Sequence, residues 1–188
     1  MSATGDQAPD PLAQRTPRAR EIIAAARRLL ASEGWEATTM RTLAADLGIR
    51  APSLYHHVAS RDALRVALCE VALAEMGTAL RQPLPGEGPN DDPVAVLLRR
   101  YRERALREPE LYRLTTAGRL PRAEILAGLE DWSGEPFLTV TGDPYRAQAL
   151  WAGAHGLVIL EIDGRLPTAE APRPTWEALG RAFARAER

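Results

Sequence analysis

The side chains with the means to do chemistry in this 188-residue chain are few: three histidines, one cysteine, scattered carboxylates and a belt of arginines. His56 and His57 are neighbours, about 100° apart around a helix, so they cannot readily share a metal ion. Nowhere do His, Cys, Asp and Glu recur at a metal-ligand spacing, and no metal site is expected. Gly86-Glu87-Gly88 precedes Pro89 with no strand before it, which argues against a phosphate loop. Cys69 lies in a helical run with Leu64, Leu68 and Val71. It excludes an internal disulfide, reads as a small buried apolar residue and suits a reducing compartment. No catalytic residue and no cofactor is expected. An all-α enzyme is the rival reading from another class, and it would have to draw on these sparse groups.

Arginine is the group present in quantity. All 24 basic residues are Arg, against 25 acids, for a formal charge of −1. Between Arg15 and Arg65 stand nine arginines (15, 18, 20, 27, 28, 41, 50, 61, 65) and five acids, a local +4 that leaves −5 for the remainder. A basic end on an acidic body fits a phosphate-binding module joined to an unrelated second part, although a solvated helix surface gives the same count.

The elements that carry these cations are legible. Thr16 caps and Pro17 opens a helix with Ile22, Ala26, Leu29 and Leu30 on one face, closed by Gly34 with Trp35 folding back. Thr39 is an N-cap for a short helix striped by Met40, Leu43 and Leu47, which ends at Gly48 with Ile49 as its apolar plug. Pro52 marks the first turn of a very short second helix carrying Leu54, Tyr55 and Val58. Small Ala44 sits where two helices cross closely, the arrangement by which a helix-turn-helix projects one helix outward. On spacing alone, any amphipathic helix pair would read the same.

Further along, Ser60 caps a helix running to about Gln82, and PLPGEGPNDDP breaks it. Asp92-Pro93 opens another with Val94, Leu97, Leu98 and Tyr101, and Pro109 restarts the chain with Leu111, Tyr112 and Leu114. A helix is expected from Pro121 to Trp132, while 137–141, strand-like in composition but without a partner strand, is expected to be an irregular or helical connection. Asp143-Pro144 opens a helix that stops at Gly164, with Ala149, Ala152, Gly153 and Gly156 forming one nearly bare face. Thr175 is expected to cap a last helix striped by Trp176, Leu179 and Phe183. Two such terminal helices could pair with their copies as a four-helix bundle. No apolar run reaches the length of a membrane span and the start lacks a signal core, so no membrane partner and a cytoplasmic location are expected.

From Arg18 to Leu68 the ordered pattern resembles the DNA-binding domain of the tetracycline-repressor (TetR) family. The match comprises the Ala-Ala-Asp-Leu-Gly-Ile run into the turn, Ser53-Leu54-Tyr55-His56-His57, and Ser60-Arg61-Asp62-Ala63-Leu64. Arg50 stands where the family often has a capping Ser or Thr, Val58 where it tends to have Phe, and Arg61 where it tends to have Lys. Trp151 followed by His155-Gly156 is similar to the Trp-His-Gly (WHG) signature of one C-terminal domain class of such regulators, over about 94–166.

The resemblance implies an all-α protein of about nine helices: a disordered arm at 1–15, a three-helix helix-turn-helix domain at 16–62 and a helical ligand-binding and dimerisation domain at 63–188. It implies a ligand-relieved repressor that binds double-stranded DNA at a palindromic operator as a homodimer. By position, Arg41, Arg50, Ala51, Pro52 and Ser53 would reach base edges, and Thr39, Tyr55, His56 and Arg61 would hold phosphates. Arg50 has an obvious bidentate partner in guanine. An unknown small-molecule effector would sit among Leu97, Tyr101, Tyr112, Trp132, Trp151 and His155, residues that at helical spacing also read as plain core. The dimer interface would use Ala149, Ala152, Gly153, Gly156, Trp176, Leu179 and Phe183. The alternative is a small-molecule binding or interaction module without DNA affinity.

Overall fold

Gly34 sets the first turn of the fold. At φ +78° it adopts the left-handed conformation that side chains resist, and it breaks the helical path near the end of α1 (Pro17–Ala37). The Thr16 hydroxyl caps the other end, accepting the Ala19 N–H at 3.2 Å. The computed structural model describes residues 8–166 and 172–184, and among them are nine helices and no strand.

Two compact units share the chain, and neither is a single consecutive stretch. The first comprises the described residues up to Glu75 together with Glu108–Glu130; the second comprises Met76–Arg107 and the described residues from Asp131 onward. In the first unit, α1, α2 (Met40–Asp46), α3 (Ala51–Tyr55) and the start of α4 (Arg61–Arg81) enclose Ile22, Leu30, Leu43, Leu54, Leu64 and Leu68. The short α6 (Pro109–Thr116) packs on α1, and its Leu111 and Leu114 close the same core. A division of the chain after residue 62 does not capture this. The amphipathic stripe of α6 announces a buried face without naming its partner.

Residues 1–7 of the expected arm lie outside the described residues, whereas 8–15 form an ordered turn. Asp10 accepts the Leu12 N–H at 2.8 Å, Arg20 donates to the Leu12 and Ala13 carbonyls, and Arg15 pairs with buried Glu70 at 2.8 Å. A carboxylate taken out of water needs such a partner, and Glu70 also accepts the Leu126 N–H at 2.9 Å.

In the second unit, α5 (Pro93–Arg107) packs on α8 (Pro144–Ile162) and α9 (Pro172–Phe183). The remaining helix, α7 (Leu129–Thr141), replaces the expected helix over Pro121–Trp132. Gly128, at φ +77°, stands immediately before it, and 122–128 form turns. Residues 137–141 are helical, the last turns of α7. Pro136 lies within that helix. Nor does Thr175 cap the last helix, which begins at Pro172. Pro172 and Pro174 both fall in the first turn, where N–H groups have no partner within the helix, so neither stops it.

Candidate functional site

The α2–α3 turn is built from local signals. Thr39 and Thr42 form a reciprocal cap: Thr39 Oγ1 accepts the Thr42 N–H at 3.1 Å and Thr42 Oγ1 accepts the Thr39 N–H at 2.9 Å. Thr42 was not among the expected site residues, though its spacing from Thr39 carries the signal. Past α2, Gly48 at φ +63° lets the Gly48 N–H reach the Ala45 carbonyl and the Ile49 N–H reach the Ala44 carbonyl, at 3.1 and 2.9 Å. Ile49 then packs against the core as the apolar plug.

The five-residue α3 hangs on Leu54, which is fully buried, with Val58 buried just beyond it. Most of the rest of this segment faces outward, while Ala51 packs in part against the core. Arg50, Pro52, Ser53, His56 and His57 are exposed, Ala51 is half-buried and Tyr55 is 51% exposed. Arg50 makes no side-chain cap bond, as its chemistry requires. Arg41 on α2 is likewise exposed, and among the described residues neither Arg41 nor Arg50 is in an ion pair, whereas Arg18 pairs with Glu21 and Arg28 approaches Asp46. The structure thus brings Arg41, Arg50, Ala51, Pro52, Ser53, Tyr55 and His56 together around a projecting turn, with Thr39 half-buried at its edge.

Arg61, half-buried, also makes contacts within its own unit. Its Nε donates to the Thr38 carbonyl at 3.0 Å, its Nη2 donates to the Trp35 carbonyl, and its guanidinium lies 4.4 Å from the Trp35 ring centroid. These contacts make the half-buried guanidinium a clamp on the α1–α2 connection. A planar fork can serve two carbonyls and a ring at once, and that capacity was hidden in the sequence.

The second unit carries an open, cleft-like cavity of about 350 Å³. Its walls are Leu80 and Arg81 of α4, Pro93, Val96, Leu97 and Arg100 of α5, and Glu135, Pro136, Thr139 and Val140 of α7. The charged walls are internally compensated: Arg81 bonds to Glu135 at 2.8 Å, and Arg100 grips Glu87, holding that carboxyl below the usual range. Of the six expected pocket residues, Leu97 lines this cavity. Tyr101 is buried edge-on against Phe137, with centroids 5.5 Å apart, and Trp132 carries the Arg81 guanidinium 4.2 Å from its ring centroid. Tyr112 belongs to α6 in the first unit. Trp151 is 46% exposed and stacks on His155 at 5.8 Å. Burial lowers the pKa of His155. Helical spacing shows which residues share a face; it does not say whether that face meets a cavity, a neighbour or water.

The expected dimer residues also separate. Trp176 is buried within its own chain, its Nε1 donating to Glu161 at 3.0 Å, and a Cβ on Gly153 would lie 2.9 Å from Leu179 Cδ1. Part of the bare α8 face therefore receives α9 of the same chain. Phe183 lies beside Arg146, whose guanidinium is 5.5 Å from its ring centroid. Ala149 and Ala152 are exposed, and a Cβ on Gly156 would meet nothing within 4 Å. Among the described residues, no three His, Cys, Asp or Glu cluster as for a metal, and no helix is long and apolar enough to cross a membrane.

Comparison with known proteins agrees with this architecture at both ends. Residues 22–68 match the family model for bacterial regulatory proteins of the tetR family, and 94–183 match that for the tetracyclin repressor-like C-terminal domain. An uncharacterized HTH-type transcriptional regulator of Mycobacterium tuberculosis is 32% identical over 158 residues, covering 76% of this chain and 69% of that protein. The class E tetracycline repressor protein of Escherichia coli is 43% identical over 67 residues, 36% of this chain and 31% of the repressor. Among solved structures, the multidrug binding protein EbrR complexed with imidazole superposes with a TM-score of 0.64 at 25% identity, over 92% of this chain and 98% of that one. With family models matched over more than half its length, the chain belongs to the TetR family of bacterial regulatory proteins.

Proposed function

We propose that this protein is a cytoplasmic, homodimeric transcriptional repressor whose grip on an inverted-repeat operator is relieved by a small molecule. The observation that carries the reading is α3: five residues anchored by one buried leucine, with Arg50, Pro52, Ser53, Tyr55 and His56 left facing solvent. That is the form of an element meant to enter a major groove. Arg50 reads a guanine through its O6 and N7, Ala51 and Pro52 offer apolar contact, and Tyr55 and His56 serve phosphates. Two-fold symmetry sets the half-sites about one helical turn or slightly more apart.

The effector is small and largely apolar, because Leu80, Pro93, Val96, Leu97, Pro136 and Val140 supply most of the cavity wall and the charges there are already paired. The names of two similar proteins, the class E tetracycline repressor and the multidrug binding protein EbrR, support the same reading. Ligand binding that favours one arrangement of α4 changes the separation of the two α3 helices, and unequal affinity for the two separations suffices for control.

Selection of bound duplexes from a random pool tests the reading. The expected product is a palindrome bound by a dimer, with Arg50→Ala losing about 1–3 kcal/mol of discrimination at one base pair per half-site. A chain that enriches no sequence and retards no duplex refutes the repressor and leaves a ligand-binding module.

A further inference from the structure

One arginine of α1 grips both points at which the chain crosses between its two units near α4 and α5. Glu75, on α4, is the last residue of the first unit before the chain leaves it, and Glu108 is the first residue after it returns. Arg27 donates to Glu75 through Nη1 and Nη2, each at 2.7 Å, and to Glu108 through Nε at 2.6 Å and through Nη2. A single guanidinium is thus forked onto two carboxylates at once, and all three side chains are partly buried. Both partners push the Arg27 pKa upward, so the cation is permanent.

We propose that Arg27 is a positioning residue for DNA binding, tying α1 of the helix-turn-helix to α4 at Glu75 and to the start of α6 at Glu108. The inference rests on the repressor reading. Any displacement of α4 or of the α5–α6 junction at these two residues pulls on α1, because one rigid fork is bonded to both carboxylates at once. Helix α1 contributes Ile22, Ile23, Ala26 and Leu30 to the core that also seats Leu43 of α2 and Leu54 of α3, so a shift of α1 reaches the reading element through packed side chains. Lysine cannot replace this group: its three donors on one nitrogen cannot span two carboxylates bidentately.

The test uses the full-length protein, the operator recovered by selection, and a random duplex of equal length. Arg27→Gln takes the forked cation from between Glu75 and Glu108; Arg27→Gln combined with Glu75→Gln and Glu108→Gln also removes the two carboxylate charges that it balanced. The triple variant is expected to regain thermal stability yet bind the operator about tenfold more weakly than wild type, a typical coupling between linked sites, with random-duplex binding unchanged. Arg27→Lys is expected to show the same selective loss. Wild-type operator affinity in the stable triple variant, or equal losses on operator and random duplex, overturns the proposal and leaves Arg27 a structural group only. Failure of the wild-type protein to bind any duplex is a separate result, which refutes the repressor reading and this inference together.

Discussion

Trp176 and Glu161 meet within the single chain: the indole Nε1 donates to the Glu161 carboxylate at 3.0 Å, joining α9 to α8. Arg102 of α5 forks onto the same carboxylate, with Nε 2.8 Å from Oε2. A single acidic side chain thereby collects three helices of the second unit, and this relationship takes Trp176 out of the outward face.

That junction is acid-sensitive in a defined direction. Arg102 holds the Glu161 carboxyl below its usual range, with help from Trp176 and against the opposing effect of burial. A depressed carboxylate adds stability that is complete at neutral pH and is lost as pH falls through the folded-state pKa. Glu161→Gln is expected to cost about 1–3 kcal/mol at pH 7 and to flatten the decline in stability between neutral and acid pH. Urea denaturation at a series of pH values checks this, and parallel curves for the two proteins would disprove it.

Gly77 on α4 has no room for a methyl group. A Cβ there would run into the Trp132 ring and stand 3.0 Å from the Ser133 backbone. In an open helix, Gly→Ala stabilises by roughly 1 kcal/mol. Here the sign reverses, and Gly77→Ala is expected to destabilise by about 1–3 kcal/mol through overpacking. A higher melting temperature for the variant would contradict the close approach of Trp132.

Gly156 gives the opposite test. Nothing in its own chain lies within 4 Å of a Cβ placed there, so Gly156→Ala costs a lone protomer nothing and gains helix propensity of roughly 1 kcal/mol. If a second copy packs against this face, as the sequence leads one to expect for Ala149 and Ala152, the methyl group weakens the dimer instead. Sedimentation across a range of concentrations should show the variant dissociating at higher concentration than wild type; an unchanged dimer constant would move the interface elsewhere.

Arg61 separates clamp from phosphate contact. Arg61→Lys keeps the charge and loses the fork to the Trp35 and Thr38 carbonyls, so it is expected to lower stability by about 1–3 kcal/mol. Arg61→Ala is expected to leave the salt dependence of DNA binding as in wild type. A slope shallower by about 0.9 per decade of salt in Arg61→Ala would return the residue to the phosphate backbone.

Local chemistry was readable in the sequence. Thr16, Thr39, Ser60 and Asp143 cap their helices as their residue types dictate, and Gly34, Gly48 and Gly164 take the positive φ that ends a helix. The outward face of α3 follows from the same signals, because one fully buried position in five residues leaves most of the others to solvent. These features depend on neighbours within a turn or two, where spacing alone fixes geometry.

Tertiary structure decided the rest. Helical periodicity identified Tyr101, Tyr112, Trp151 and Trp176 as members of apolar stripes, yet one lies against Phe137, one on α6 of the first unit, one half in solvent and one against Glu161. The arginines divide in the same way: Arg50 is exposed, Arg61 holds the Thr38 and Trp35 carbonyls, and Arg27 clasps two carboxylates 48 and 81 residues away in the chain. An arginine reads the same in the sequence whatever it meets. Its role is set by which carbonyls and carboxylates the packed helices bring within reach of the guanidinium, a long-range condition that no local spacing contains.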